Sequence, residues 1–196
     1  MKVKKVSGII LKISAFREFD RVIWIFTPEQ GVMRILAKGV RRSKSHRSYH
    51  LDLLNSVDME LEEVGQHPST RLYLREVRTK DHHSAIKADP LRFCTACIIA
   101  SFLVRMVPES SMAQPELFEI TQKTLAYLNS PTPPPDILQT YFLKAIKCLG
   151  HMAHILPKES LGKSVWESLE ELDSQFTLQA RRTLGIFSRA ESTRSS

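Results

Sequence analysis

Asp20-Arg21-Val22-Ile23-Trp24-Ile25-Phe26-Thr27-Pro28-Glu29-Gln30-Gly31-Val32-Met33-Arg34-Ile35-Leu36-Ala37 is the stretch that decides the fold. Residues 20–27 are β-branched and aromatic, and Pro28-Glu29-Gln30-Gly31 reads as a turn. Beyond it, Val32, Arg34 and Leu36 alternate with Met33, Ile35 and Ala37. A period of two sends neighbouring side chains to opposite faces of a strand, so the stretch predicts a hairpin. Trp24 alternates with Val22 and Phe26 and is expected in the core. Working outward, Val6 to Lys12 predicts a preceding strand, and Leu53 to Val64 a fourth, with Val57, Met59 and Leu61 opposite Asp58, Glu60 and Glu62. Gly65-Gln66-His67-Pro68-Ser69 is a turn, and Leu72, Leu74 and Val77 mark a fifth strand. Five strands in the first 80 residues predict a small barrel of the oligonucleotide-binding (OB) type. An SH3-like barrel would leave the same trace.

Directly after the hairpin comes Lys38-Gly39-Val40-Arg41-Arg42-Ser43-Lys44-Ser45-His46-Arg47, with five fixed positive charges and no acid. It lacks apolar periodicity and reads as a loop on a β scaffold. Such a loop can hold a phosphate backbone, although a solvated surface loop has the same composition. Of the 196 residues, the first 80 carry 16 Lys and Arg against 9 Asp and Glu, an excess of +7. The remainder carries 12 of each, so the formal net charge of +7 lies entirely in the first part. That asymmetry predicts a basic binding module followed by a neutral module with a different task.

The second part reads as helical. Asp89-Pro90 is a helix start with Asp as N-cap, and Leu91 to Val107 is apolar nearly all round, which predicts a buried central helix. Gln114-Pro115 opens a second helix to about Asn129, and Asp136 to Leu149 is a third, closed by Gly150. Residues 164–172 and 175–184 are expected as short helices, and the tail 188–196 as disordered. The expected domains are therefore 1–80, a barrel, and 81–187, helical. No run of about 18 apolar residues is present, so no membrane span is expected. Met1-Lys2-Val3-Lys4-Lys5 leads into an apolar stretch that breaks at Lys12, so no secretory signal is expected. Three cysteines, an odd number, suit reduced thiols in a cytoplasmic setting.

Gly8-Ile9-Ile10-Leu11-Lys12, then Arg17-Glu18-Phe19-Asp20-Arg21 and Phe26-Thr27-Pro28-Glu29-Gln30-Gly31, resemble in order and spacing the opening of the bacterial RecO family. Ala37-Lys38-Gly39-Val40-Arg41-Arg42-Ser43-Lys44 is similar to that family's small-basic-Gly-x-Arg-Arg run. Leu74-Arg75-Glu76-Val77 and the Phe142-to-Gly150 stretch also resemble it, and the likeness covers most of residues 1–155. The resemblance implies an α+β protein with an N-terminal five-stranded OB-type barrel and a C-terminal helical domain that serves protein interaction. It implies a DNA-repair recombination mediator that binds single- and double-stranded DNA and anneals complementary strands. Such a mediator assists recombinase loading on strands coated by single-strand-binding protein. The implied partners are a RecR-type protein and the acidic tail of single-strand-binding protein. Many family members carry a four-cysteine zinc site after the Leu-Gly helix. Here His151 to Gly162 holds no cysteine, so the chain resembles a zinc-less branch.

The candidate phosphate contacts are Lys38, Arg41, Arg42, Lys44 and Arg47, with Arg21, Arg34, Arg71 and Arg75 on or beside strands extending the groove. Tyr49 and Tyr73 are candidate base-stacking platforms, with a packing role equally open. Arg105, Lys123, Lys144 and Lys147 are scattered candidates for receiving an acidic peptide. Cys94, Cys97, Cys148 and His151 could in principle form a Cys3His tetrahedron. The apolar helix Phe93–Ile99 instead favours cysteine as a small buried hydrophobe, and no metal or cofactor is expected. No acid–base constellation points to an enzyme. Two alternatives stay open: an RNA-binding barrel of unrelated role, and a metal-dependent nuclease acting through Glu60, Glu62 and Glu63.

Overall fold

The first strand of the computed structural model, β1 (Lys2–Phe16), serves two neighbours. Its first half, Lys2 to Ile9, pairs with β4 (Ser56–Val64), and Ile9 to Phe16 pairs with β2 (Asp20–Thr27). Gly8 stands where the partner changes. A β-carbon there would overlap the carbonyl oxygen of Phe26 and the side chain of Ile25, so only glycine lets the strands approach this closely. Just beyond, the register slips between Ile10 and Lys12 and leaves Leu11 as an extra residue. A bulge bends the strand, and it is how Ile9, Ile10 and Leu11 can all be buried in succession. The described residues are 2–42, 45–65, 71–109, 112–150 and 173–182.

The expected hairpin joins β2 to β3 (Gly31–Ala37), in register from Thr27 opposite Gly31 to Arg21 opposite Ala37. At its tip the Thr27 hydroxyl donates to the Gly31 carbonyl (3.2 Å) and accepts from the Gln30 N–H (3.2 Å). Gly31 has φ +61°, a left-handed value that glycine adopts without strain. A second bulge lies between β4 and β5 (Arg71–Asp81): Glu60 faces Glu76, Leu61 faces Leu74, and Arg75 is the extra residue. That insertion explains the spacing of the apolar positions 72, 74 and 77. Finally β3 lies parallel to β5 through the pair Leu36–Tyr73, which closes the barrel in the order β1-β2-β3-β5-β4. The fold is α+β, as expected.

Ile10, Ile23, Ile25, Met33, Ile35, Val57, Met59, Leu61 and Leu74 fill the barrel interior. Each fully buried side chain of this size contributes about 1.5–3 kcal/mol. Trp24 is not among them, contrary to the expectation. Both faces of β2 are apolar, and Ile23 and Ile25 take the interior, which turns Trp24 outward, half-buried. Phe26, on the same outward face, is covered by Phe118 (ring centroids 5.5 Å apart). Nearby the Gln114 N–H donates to the Pro28 carbonyl (2.8 Å), and Glu109 bridges to Val32.

By contact density the chain forms two compact units, Met1–His83 with Ala100–Phe118, and Ser84–Ile99 with the chain from Glu119 onward. The helices α2 (Pro90–Met106) and α3 (Pro115–Leu128) contribute residues to both. The second unit also holds α1 (Ser84–Ala88), which the sequence reading does not contain, α4 (Ile137–Cys148), and helical residues 174–182. Asp89 is the N-cap expected for α2: its carboxylate accepts the N–H groups of Leu91 (2.9 Å) and Arg92 (3.1 Å). Arg92 in turn donates to the carbonyls of Leu128, Ser130 and Pro131 at the end of α3. Tyr141, Phe142, Ala145, Ile146 and Phe176 are buried here. Burial pushes the Tyr141 hydroxyl well above its ordinary pKa, and the hydrogen bond with Thr121 (3.2 Å) offsets this in part. The expected helix 164–172 and the tail 188–196 lie outside the described residues.

Candidate nucleic-acid interface

The described start of the basic loop, residues 38–42, is anchored. Val40 is fully buried within it. The Gly39 N–H donates to the Asp20 carboxylate (2.8 Å), with glycine at φ +65°. The Arg41 N–H donates to the Phe19 carbonyl (3.0 Å), and the Arg42 N–H to the Gly39 carbonyl (3.2 Å). The loop is thereby tied to the turn between β1 and β2, and Arg41 and Arg42 stand exposed. Between loop and turn lies a concavity of about 870 Å³ lined by Arg17, Phe19, Lys38, Arg42, His46 and Arg47, with the acids Glu18, Asp20 and Glu76 at its wall. Part of the span read as loop is a 3-10 turn, His46–His50. Arg47 enters from it and donates to the carbonyls of Leu74 (3.1 Å), Arg75 (3.4 Å) and Lys38 (3.0 Å).

A second concavity, about 670 Å³, lies on the outer face of β2, β3 and β5. Phe16, Trp24 and Tyr73 line it together with Arg17, Arg34, Lys38 and Arg71. Arg17 and Lys38 border both concavities. Cations already rest on the rings. Lys38 Nζ is 4.0 Å from the Tyr73 ring centroid, Lys12 Nζ is 4.8 Å from Trp24, and the guanidinium carbons of Arg17 and Arg42 are 5.3 Å from Phe16 and Phe19. Rings interleaved with cations along a groove can stack bases and neutralise phosphates at once.

The structure thus gathers Lys38, Arg42 and Arg47 at one concavity and Lys38, Arg34 and Arg71 at the other. Arg41 is exposed beside them, and Lys44 lies outside the described residues. Arg21 is half-buried between Ala15 and Ala37, and Arg75 is exposed at the bulge; neither lines these concavities. Tyr73 lies under Lys38, while Tyr49 is 86% exposed on the 3-10 turn. Sequence reasoning missed Phe16, Arg17 and Phe19. Their signal was Phe16-Arg17-Glu18-Phe19, aromatic and basic residues in a turn between two strands.

The remaining candidates are placed as follows. Arg105 belongs to the first unit, Lys123, Lys144 and Lys147 to the second. Lys123 pairs with Glu119 (2.5 Å), and that hydrogen bond raises the lysine pKa and lowers the glutamate's. On β4, Glu60 pairs with Lys5 (3.2 Å), and Asp58 with Lys80 (3.5 Å) and the Ser7 hydroxyl (2.5 Å). Among the described residues no group of three or more His, Cys, Asp or Glu is placed to hold a metal ion. Cys94, Cys97 and Cys148 form no disulfide with one another. Burial first, then the neighbouring Cys94, pushes the Cys97 thiol up to about 11. His151 lies outside the described residues. No helix among the described residues is long and apolar enough to cross a membrane.

A closed five-stranded barrel in the order β1-β2-β3-β5-β4 defines an OB-fold domain. Residues 1–74 match the family described as Recombination protein O N terminal. The chain is also 30% identical over 128 residues to a DNA repair protein RecO from Syntrophobacter fumaroxidans, an alignment covering 65% of this chain and 49% of that protein. Over residues 1–74 the chain is thus similar to the N-terminal domain of the RecO family. It spans about half the length of the curated relative it matches. Among solved structures, asparaginyl-tRNA synthetase from Pyrococcus horikoshii aligns over 74% of this chain and 26% of its own, with 10% identity and a TM-score of 0.36. The S. pombe Stn1-Ten1 complex aligns over 53% and 77%, with 15% identity and a TM-score of 0.34. Likenesses this weak carry no argument.

Proposed function

We propose that this chain is a non-catalytic DNA-repair mediator that binds single- and double-stranded DNA and anneals complementary strands. The observation that carries this reading is the pair of adjoining concavities that share Arg17 and Lys38 and interleave rings with cations. Lys38, Arg41, Arg42, Lys44, Arg34 and Arg71 neutralise phosphates, which lowers the repulsion between two strands brought together. Phe16, Trp24 and Tyr73 stack unpaired bases. The second part of the chain, residues 81–187, engages protein partners, a RecR-type protein and the acidic tail of single-strand-binding protein, and so assists recombinase loading. Exposed Lys144 and Lys147 on α4 suit an acidic peptide. The reaction takes place in the cytoplasm and needs no cofactor.

The test is single-stranded DNA binding across a salt series, wild type against Arg41→Ala/Arg42→Ala/Lys44→Ala. Losing three phosphate contacts makes the log–log salt slope shallower by about 2 and weakens binding at low salt. An unchanged slope and affinity would remove the loop from the interface. Preference for RNA over DNA at matched salt would favour an unrelated RNA-binding role. Divalent-dependent cleavage abolished by Glu60→Gln/Glu62→Gln would establish a nuclease instead.

A further inference from the structure

Trp24 and Arg34 are direct cross-strand neighbours on the outer face of β2 and β3. One carboxylate engages both. The Trp24 indole N–H donates to Glu109 Oε1 at 3.0 Å, and Arg34 Nε lies 3.4 Å from Glu109 Oε2. Glu109 arrives on the segment that bridges to Val32, and it lines the concavity with Trp24 and Arg34. The cation expected to meet a phosphate and the ring best suited to meet a base are therefore both held by an anion of the chain itself. The contact is open to water, with the Arg34 and Glu109 side chains 61% and 45% exposed. Exposed pairs of this kind are weak and readily exchanged.

We infer that Glu109 is a tethered phosphate mimic that competes with the DNA backbone for Arg34 and Trp24 and so speeds release of a bound strand. The inference rests on the strand-binding reading above. The physical reason is concentration. A carboxylate on the same chain sits at the site at an effective concentration in the millimolar range or higher, with no diffusional search. When a phosphate lifts from Arg34, Glu109 takes its place before the phosphate returns. When strand binds, the carboxylate must yield, and Arg34 gains a phosphate at the cost of one intramolecular pair. For a protein that brings strands together and then leaves the duplex, such a competitor converts tight holding into exchange.

The experiment uses the full chain and a fluorescein-labelled oligothymidylate, measuring equilibrium anisotropy across a salt series and dissociation after adding excess unlabelled strand. Glu109→Gln keeps a polar side chain but loses the charge. It is expected to bind up to about fivefold more tightly at 0.1 M salt, the worth of the one exposed pair that no longer has to be broken for Arg34 to reach a phosphate. Dissociation slows by a similar factor, and the gain fades toward 1 M salt. Glu109→Ala behaves in the same way, which separates loss of the charge from any new contact of the amide. In an Arg34→Ala background the Glu109→Gln effect shrinks to near nothing, because the cation released by the substitution is gone. Wild-type binding with affinity and release unchanged in both Glu109 variants overturns the inference and leaves the strand-binding reading intact. Weaker binding by the variants also overturns it, since Glu109 would then be positioning Trp24 and Arg34 for the strand. Absence of binding by every protein, wild type included, overturns the strand-binding reading and the inference together.

Discussion

Replacing Arg47 separates its charge from its geometry. Its guanidinium donates to the Leu74, Arg75 and Lys38 carbonyls, so it joins β5 to the start of the basic loop. The Leu74 bond is part-buried, the other two are exposed, and the Arg75 bond is long at 3.4 Å. A sheltered bond from a charged donor contributes about 1.5–3 kcal/mol, and exposed ones far less, so Arg47→Ala costs about 2 kcal/mol. For a cooperative unit near 100 residues that lowers the melting temperature by roughly 8–16 °C. Arg47→Lys is the sharper variant. It keeps the positive charge and loses the planar fork that reaches carbonyls on two segments. It is expected to melt nearly as low as Arg47→Ala, whereas Arg41→Ala and Arg42→Ala melt like wild type. In DNA binding measured well below the transition, Arg47→Lys retains the wild-type salt slope. Scanning calorimetry and a salt series on the same four proteins check this. If Arg47→Lys melts like wild type while Arg47→Ala loses one phosphate contact, about 0.7 in slope, Arg47 is a free phosphate ligand and the tie described here carries no weight.

Gly8→Ala forces a β-carbon against the Phe26 carbonyl and is expected to destabilise the barrel by about 3 kcal/mol in urea denaturation, with backbone adjustment rather than a rotamer change absorbing the overlap. Asp89→Ala removes the acceptor for two N–H groups at the start of α2 and costs about 1 kcal/mol, while Asp89→Ser recovers most of it. Cys97, held up to about 11, stays protonated at pH 8, and its alkylation by iodoacetamide is expected to be slower than that of an unhindered thiol by two orders of magnitude or more, roughly in line with its thiolate fraction. The same shift has a stability consequence: above the ordinary thiol value of 9.0 the unfolded chain loses a proton that the folded chain keeps, so Cys97 lowers stability as pH rises from about 9 to about 11. Cys97→Ser is expected to flatten that decline in denaturation curves.

The sequence alone specified the elements whose reasons are local. Alternation set the strands and their inward sets, Met33 with Ile35 and Met59 with Leu61, because a period of two can satisfy only one buried face. Asp89-Pro90 announced the start of α2, because a cap is chemistry between near neighbours. The concentration of charge in residues 38–47 was visible in the same way. Closure of the barrel was not, since the parallel join of β3 to β5 rests on one register pair between residues far apart in the chain. Nor was the orientation of Trp24: β2 is apolar on both faces, and only packing decides which side becomes the interior. The candidate site shares that limit. Arg17 and Phe16 reach the groove because the β1–β2 turn folds back on the loop, and Glu109 reaches Arg34 from 75 positions away in the chain, counting by residue number. Arg47 looked like every other cation in the run. What distinguishes it is three carbonyl groups brought within its reach by separate segments, and such a convergence exists only once the chain has folded.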